Sequence, residues 1–187
     1  MKADAQFSRL LLAVVPELRA FALSLTHDSV WTDDLVQETL LRAWSGAEQF
    51  QEGSNIRAWL FTILRHLFYT EHRRRRREVD DAQGKRAASL RIGPDQPSHL
   101  EFEDVRTALK SLVPVNREAL ILVGAQGMSY EQAAEVCGVA VGTIKSRVNR
   151  ARVHLMELLQ LETGYHSGPD DVLKAVVGSE AGDAWND

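Results

Sequence analysis

The chain has 187 residues, of which 44% are hydrophobic and 26% are charged, the ordinary composition of a folded globular protein. This length suits one medium-sized domain or two small ones. The single cysteine excludes an internal disulfide and a cysteine-based zinc site, and no cofactor or metal is expected. Because there is no secretion signal and no apolar run long enough to cross a membrane, we expect a cytoplasmic protein without membrane contact.

The net charge is −4, but the charges are segregated along the chain. One basic block comprises Arg65, His66 and residues 73–77, and a second comprises residues 145–152. Acidic residues gather in three other places, at residues 33–38, 101–104 and 170–187. This segregation predicts two basic contact surfaces on an otherwise acidic body.

Apolar residues recur at helical spacing in nearly every periodic segment, and no strand-like alternation is convincing. The first predicted helix runs from Phe7 towards His27, and Pro16 either kinks it or restarts it. A second helix is predicted to begin at Thr32, which would act as its N-cap, and to continue through Trp44.

One face of this second helix is rich in carboxylates. Asp33 and Asp34 suit the positive end of a helix dipole, which is the ordinary explanation for acidic residues in a first turn. Asp34, Gln37, Glu38 and Leu41 also share one face, because they are spaced at i, i+3, i+4 and i+7. Such a stripe fits a basic coiled-coil partner.

After a loop at residues 51–55, a long helix is predicted from Ile56 into the arginine run at residues 73–77. Aromatic and basic side chains interleave along this helix, as in surfaces that stack and neutralise single-stranded DNA. The alternative is that its apolar residues belong to the core, which we expect for Leu60 and Ile63.

The helical pattern is absent from Glu78 to about His99, where glycine and proline indicate a linker. We therefore predict an all-α protein with two small helical domains, at residues 1–77 and 101–162. Residues 78–100 are expected to form a flexible linker, and residues 163–187 an acidic, flexible tail. The sequence leaves open how the two domains are arranged when no partner is bound.

Residues 129–155 predict a helix-turn-helix. Ser129 and Gln132 have the spacing of a capping box, and Gly138 can take the positive φ at which the first helix ends. The second helix buries one stripe, which consists of Ile144, Val148, Ala151 and Leu155. Its other faces carry Thr143, Lys145, Ser146, Arg147, Asn149, Arg150 and Arg152. A basic amphipathic helix is often only a solvated helix, but the preceding capped helix and glycine turn favour insertion into a DNA major groove.

Three blocks, in this order, resemble the extracytoplasmic-function (group 4) sigma factors of bacterial RNA polymerase. Asp33–Trp44 resembles the region 2.2 helix, which docks on the clamp coiled coil of the polymerase β′ subunit. Asn55–Arg65, with the arginine run, is similar to regions 2.3 and 2.4, which open and read the −10 element. Val141–Arg147 resembles region 4.2, the reader of the −35 element.

The resemblance implies three sets of contact residues. Polymerase contacts are implied for Asp34, Gln37, Glu38 and Leu41. Contacts to the −10 element are implied for Ser54, Asn55, Trp59, Arg65, His66, Tyr69 and Arg73. Contacts to the −35 element are implied for Thr143, Lys145, Ser146, Arg147, Asn149 and Arg150. His66 stands where many members of the family have Asn.

Within the family, three segments look like the general-stress-response branch of alphaproteobacteria, often called EcfG: Phe50–Gly53, Leu60–Arg65 and Glu118–Ala125. Members of that branch are held by a small anti-sigma protein, which is released when a response regulator with a sigma-like domain takes their place. The implied partners are core RNA polymerase (β′ clamp and β flap), promoter DNA and a small anti-sigma protein. We expect the free chain to be a monomer.

Two other classes of function compete with this one. A stand-alone helix-turn-helix repressor or activator would need neither the carboxylate stripe nor the aromatic-basic helix. A DNA recombinase would need a serine or tyrosine nucleophile among arginines, or carboxylates that suit a metal, and neither is evident. The sequence therefore predicts a protein that is not an enzyme.

Overall fold

The computed structural model describes residues 5–51, 53–82 and 100–159, and over these residues it contains helices and no strand. The α-helices are α1 (Ala5–Thr26), α2 (Ser29–Ser45), α3 (Ile56–Ala82), α4 (Leu100–Ser111), α5 (Pro114–Leu120), α6 (Tyr130–Cys137) and α7 (Val141–Leu158). A 3-10 turn at Ala47–Gln49 follows α2, and a π-helical segment at Ile121–Ala125 continues α5. The predicted all-α class is confirmed.

The start of α2 differs from the prediction. Asp28 is the N-cap, because its carboxylate accepts a 2.8 Å hydrogen bond from the backbone N–H of Trp31. Thr32, predicted as the cap, lies inside the helix, where its buried hydroxyl is 2.7 Å from that of Thr26. Asp33 therefore lies beyond the first turn, and the expectation that it stabilises the positive end of the helix is wrong.

Two other boundaries follow from backbone chemistry. Pro16 lies inside an unbroken α1, so it neither ends nor restarts that helix. Helix α3 continues to Ala82, five residues past Arg77, because no glycine or proline interrupts the chain before Gly84. The rest of the predicted linker, residues 83–99, and the predicted tail lie outside the described residues.

Helices α1, α2 and α3 pack on one another, and we call them the first bundle. Helices α4 to α7, with the π-helical segment, form the second bundle. The helix-turn-helix within it is confirmed: Ser129 and Gln132 form the complete capping box, and Gly138 ends α6 with φ of 65°. Leu155 and the other three predicted stripe residues of α7 are buried.

The two bundles are packed against each other. Helix α3 lies on α6, and α1 touches the π-helical segment. One continuous cluster of buried apolar side chains runs through both bundles. The sequence left the arrangement of the two bundles open. This arrangement determines which of the candidate DNA contacts are exposed.

Candidate nucleic-acid and partner interfaces

Helix α7 presents part of its basic face to solvent. Lys145, Asn149 and Arg150 are exposed, and the ammonium of Lys145 lies 5.7 Å from the centre of the Tyr130 ring. Thr143 and Ser146 are half-buried, and the Ser146 hydroxyl donates to the Thr143 carbonyl at 2.9 Å. These side chains could reach a DNA groove without rearrangement of the bundle.

Arg147 differs from its neighbours on α7. It is half-buried, and its Nη1 is buried without a hydrogen-bond partner. It also lies close enough to the carboxylate of Glu118 to lower the pKa of that group. The guanidinium expected to read or clamp DNA is thus turned partly into the protein.

Some of the side chains predicted to contact the −10 element are exposed to solvent, and others are partly buried in the protein. Ser54 and Asn55 are exposed, and Asn55 Oδ1 accepts a 3.1 Å hydrogen bond from the Ala58 N–H at the start of α3. Trp59 is half-buried, with its ring centre 5.3 Å from that of Phe50 and 6.4 Å from that of Phe7. The loop residues are therefore available to DNA, whereas Trp59 helps to hold the loop against α1.

Further along α3, His66 and Arg73 are exposed, but Arg65 and Tyr69 are not free. Both point to the second bundle, where they contact Glu118. Arg65 Nε donates to Glu118 Oε1 at 2.8 Å, and the Tyr69 hydroxyl donates to Oε2 at 3.2 Å. The Arg65 guanidinium also lies 4.8 Å from the centre of the Tyr69 ring.

Glu118 lies at the centre of this contact and is 0% exposed. Burial raises its pKa, which Arg65 opposes by favouring the charged form. The pKa of Tyr69 is raised to about 12, mainly by burial and next by the negative charge of Glu118. The pKa of the Cys137 thiol is also raised to about 12, for the same two reasons. We call these four residues and Arg147 the Glu118 cluster.

The contact role of Glu118 was not predicted from the sequence, although a signal was present. Residue 118 precedes an uninterrupted apolar run at residues 119–123 and lies one helical turn before Leu122, so it belongs to a helix with no fully exposed side. A charged residue there requires a partner. Helical spacing could not identify Arg65, because the two residues are 53 positions apart.

A second polar link joins the bundles. Arg57 on α3 donates to the Gln126 carbonyl and lies 3.2 Å from the Gln126 Oε1. It is also paired with Glu17 on α1. Arg57 thus ties α1, α3 and the turn after the π-helical segment together.

The arginine run is only partly free to meet a phosphate. Glu71 pairs with Arg74 at 2.9 Å and with Arg75 at 3.1 Å. The Arg75 guanidinium also lies 4.2 Å from the centre of the Trp31 ring. Arg73, exposed and bonded only to a backbone carbonyl of its own helix at 3.1 Å, is the better placed member.

The predicted polymerase contacts lie on one exposed face of α2. Asp34, Gln37, Glu38 and Leu41 are all exposed, and Glu38 pairs with Arg42 at 2.7 Å. This face borders an apolar groove between α1 and α2. Leu41, Leu12 and Trp44 line the groove and are 63%, 67% and 50% exposed. A carboxylate stripe beside exposed apolar side chains is typical of a protein interface.

Two negative findings apply to the described ranges. Residues 5–51, 53–82 and 100–159 contain no group of three or more His, Cys, Asp or Glu side chains that could hold a metal ion. Over the same part of the chain, no helix is long and apolar enough to span a bilayer.

The chain is similar to known proteins over nearly its whole length. Residues 10–78 match the family described as Sigma-70 region 2, and residues 102–155 match Sigma-70, region 4. The ECF RNA polymerase sigma factor EcfG of Rhodopseudomonas palustris is 59% identical over 90% of this chain and 93% of its own length. The ECF RNA polymerase sigma factor SigC of Mycobacterium tuberculosis is 38% identical over 74% of this chain and 81% of its own length.

Among solved structures, the sigma factor RpoE of Bartonella quintana in complex with the anti-sigma factor NepR superposes with a TM-score of 0.76. It is 50% identical and covers 85% of this chain and 99% of that chain. The chain belongs to the extracytoplasmic-function sigma factors of RNA polymerase.

Proposed function

We propose that this sigma factor docks on core RNA polymerase through α2 and directs it to promoters whose −10 and −35 elements are bound by α3 and α7. The observation that carries this proposal is the occurrence, in one chain, of an acidic and apolar ridge beside two separate basic helices. A repressor needs only one of these surfaces. Nucleotide transfer belongs to the polymerase, so the sigma factor supplies recognition and no active site of its own.

The ridge on α2 combines two kinds of interaction. Asp34 and Glu38 would steer and orient a basic coiled coil, since charge complementarity mainly raises the association rate and fixes the register. Leu41 and Trp44 would supply buried apolar area, which provides most of the affinity of an interface. The clamp coiled coil of the β′ subunit is the partner that the family resemblance implies.

The DNA contacts would differ in kind between the two bundles. On α7, Arg147 and Arg150 can offer bidentate hydrogen bonds to guanine, each worth about 1–3 kcal/mol of discrimination, or they can clamp phosphates. Lys145 and Asn149 are better placed for phosphates. On the first bundle, Ser54, Asn55, His66 and Arg73 would hold the opened strand, and Arg65, Tyr69 and Trp59 would join them after rearrangement.

We further propose a cytoplasmic general-stress-response role under the control of a small anti-sigma protein. The identity with EcfG supports the branch, and the likeness to RpoE in complex with NepR supports the type of inhibitor.

Run-off transcription with purified core enzyme on a stress promoter tests the function. Wild-type protein should confer a defined start site, whereas Asp34→Lys combined with Glu38→Lys should abolish both co-purification with core enzyme and the transcript. Glu135→Lys with Glu157→Lys makes the same change of charge at exposed positions of the second bundle, so it is the matched control. Undiminished co-purification of the α2 variant would rule out docking through this ridge.

A further inference from the structure

Trp31, at the start of α2, packs on the face of α3 that leads into the arginine run. Its ring centre lies 5.3 Å from that of Phe68 and 6.4 Å from that of His72, with interplanar angles of 27° and 7°. The Arg75 guanidinium lies 4.2 Å from the centre of the indole. Because residues 68, 72 and 75 are spaced at i, i+4 and i+7, one indole covers two turns of α3.

Trp31 projects from a firmly held turn. Its backbone N–H donates to the N-cap carboxylate of Asp28 at 2.8 Å. The next residue, Thr32, is 0% exposed, and its hydroxyl lies 2.7 Å from that of Thr26 on α1. The indole is therefore fixed to the body of the first bundle, and it offers α3 a rigid point of attachment.

A different face of α3 is exposed along the same stretch. His66, Thr70, Arg73 and Arg77 are all exposed and are spaced at i, i+4, i+7 and i+11, and we call them the His66 stripe. The stripe is about 16 Å long at roughly 1.5 Å per residue. This is the length of about five base pairs at roughly 3.4 Å each. Both ends can contact one stretch of DNA only if α3 remains helical between them.

We propose that Trp31 is a positioning residue: it holds the end of α3 through Arg75, so that the His66 stripe meets promoter DNA as one surface. The stripe adds Thr70 and Arg77 to the DNA contacts proposed above, and this inference rests on that proposed function. Arg75 itself contacts no phosphate, because its guanidinium remains on the indole.

The direction in which Arg75 points supports this role. With 3.6 residues per turn, Arg75 is rotated about 200° around the helix from both Arg73 and Arg77, so it points away from the His66 stripe. Its Nε is also 3.1 Å from a carboxylate oxygen of Glu71. Arg73, in contrast, is exposed and bonds to a backbone carbonyl of its own helix.

The end of α3 requires support because its own sequence opposes a helix. Arg73 and Arg77 place like charges at i, i+4, and Arg74 and Arg77 place them at i, i+3. Helix ends also fray, and α3 ends only five residues beyond the run, at Ala82. Stacking on Trp31 attaches this segment to the first bundle, so we expect the helix end to fray when the indole is removed.

Amide hydrogen exchange of the free chain tests whether Trp31 holds the helix. Peptides from residues 70–82 should exchange about tenfold faster in Trp31→Ala than in the wild type, because local opening exposes their amides. Trp31→Phe keeps an aromatic ring in place and should remain near the wild type. Val30→Ala trims an apolar side chain that is 71% exposed on the same turn, so it is the matched control and should change nothing.

The salt dependence of promoter binding by the holoenzyme tests whether this hold positions DNA contacts. Each phosphate contact adds about 0.9 to the slope of log affinity against log salt concentration. Arg73→Met should lower the slope by about 0.9, because it removes one contact. Trp31→Ala should lower it by at least as much although it removes no charge, and Arg73→Met should then have no further effect.

Unchanged exchange in Trp31→Ala would overturn the proposal, and so would faster exchange with an unchanged salt slope. Circular dichroism checks that each variant is folded. Should Trp31→Ala not fold, Arg75→Lys keeps the charge without the planar guanidinium and must show both changes, whereas a retained slope would assign Arg75 to phosphate. A wild-type holoenzyme without promoter preference would refute the proposed function and the DNA role of Trp31 together, whereas exchange alone decides whether Trp31 holds α3.

Discussion

Replacing Arg65 measures the strength of the contact between the bundles. Arg65→Met keeps most of the length of the side chain and removes its charge, so the carboxylate of Glu118 remains buried with only the Tyr69 hydroxyl bonded to it. Removing one partner of a buried ion pair costs about 3–5 kcal/mol, because the remaining charge is stranded away from water. The Arg65 side chain is 23% exposed, which places the expected cost near the lower end, at about 3 kcal/mol.

This loss should separate the bundles before it unfolds them. Separation returns Glu118 to water, and each bundle keeps the core that its own helices form. Denaturant unfolding of the wild type should be one transition, whereas the variant should show two. Tryptophan fluorescence in a Trp185→Phe background reports on Trp31, Trp44 and Trp59 of the first bundle, and circular dichroism reports on the helices of both bundles.

The same variant should be sensitive to pH. Burial holds the pKa of Glu118 above its ordinary value of 4.5, so the closed arrangement binds the proton more tightly than the separated bundles do. The stabilisation from this group is therefore complete below about pH 4.5 and is lost as the pH rises through the raised pKa. Without Arg65 the pKa rises further, so the defect of Arg65→Met should be smaller near about pH 5 than near about pH 8.

Arg73→Met is the control, because Arg73 is exposed and bonds only to a backbone carbonyl of its own helix. It should unfold as the wild type does at both pH values. If Arg65→Met also matched the wild type in midpoint and in the coincidence of the two probes, the Glu118 cluster would not hold the bundles together.

Three further predictions concern single side chains. Arg147→Ala should weaken binding of the polymerase holoenzyme to a promoter by about 1–3 kcal/mol if Arg147 reads a base, and an equal loss on a scrambled −35 element would assign it to phosphate instead. Ser129→Ala removes the hydroxyl that caps α6 and should lower the free energy of unfolding by about 0.5–2 kcal/mol in a denaturant titration, while Ser54→Ala should not. Trp44→Ala should weaken binding to core polymerase without changing thermal stability, because the ring is half-exposed beside the α2 stripe; a lowered melting temperature would instead make it a core residue.

The helix-turn-helix was predictable because its determinants are local. A capping box requires two residues three positions apart, and the buried stripe of α7 requires only a helical period. Gly138 has φ of 65°, a conformation in which a side chain would strain the backbone. Each feature could be read within a few residues, and the structure confirms each of them.

Two features could not be predicted in this way. One is the choice between two neighbouring N-cap candidates, and the other is a contact between residues that are distant in sequence. Thr32 and Asp28 are both good N-caps, and the choice depends on the packing of Thr32 against Thr26, which the sequence does not display. The family resemblance implied −10 contacts for Arg65 and Tyr69, and such contacts require their face of α3 to be exposed. Whether that face meets water or the second bundle depends on Glu118, which lies in a distant part of the chain.

A charged residue at position 118 suits a contact that has to be broken. Well-packed apolar side chains in place of a buried ion pair are often more stable, by about 1–4 kcal/mol, so a permanent contact would favour them. A carboxylate instead offers Arg65 oxygen atoms that closely resemble those of a phosphate. On the function proposed above, equivalent bonds to promoter DNA would meet the cost of opening, whereas an apolar contact would have nothing to exchange for its buried area.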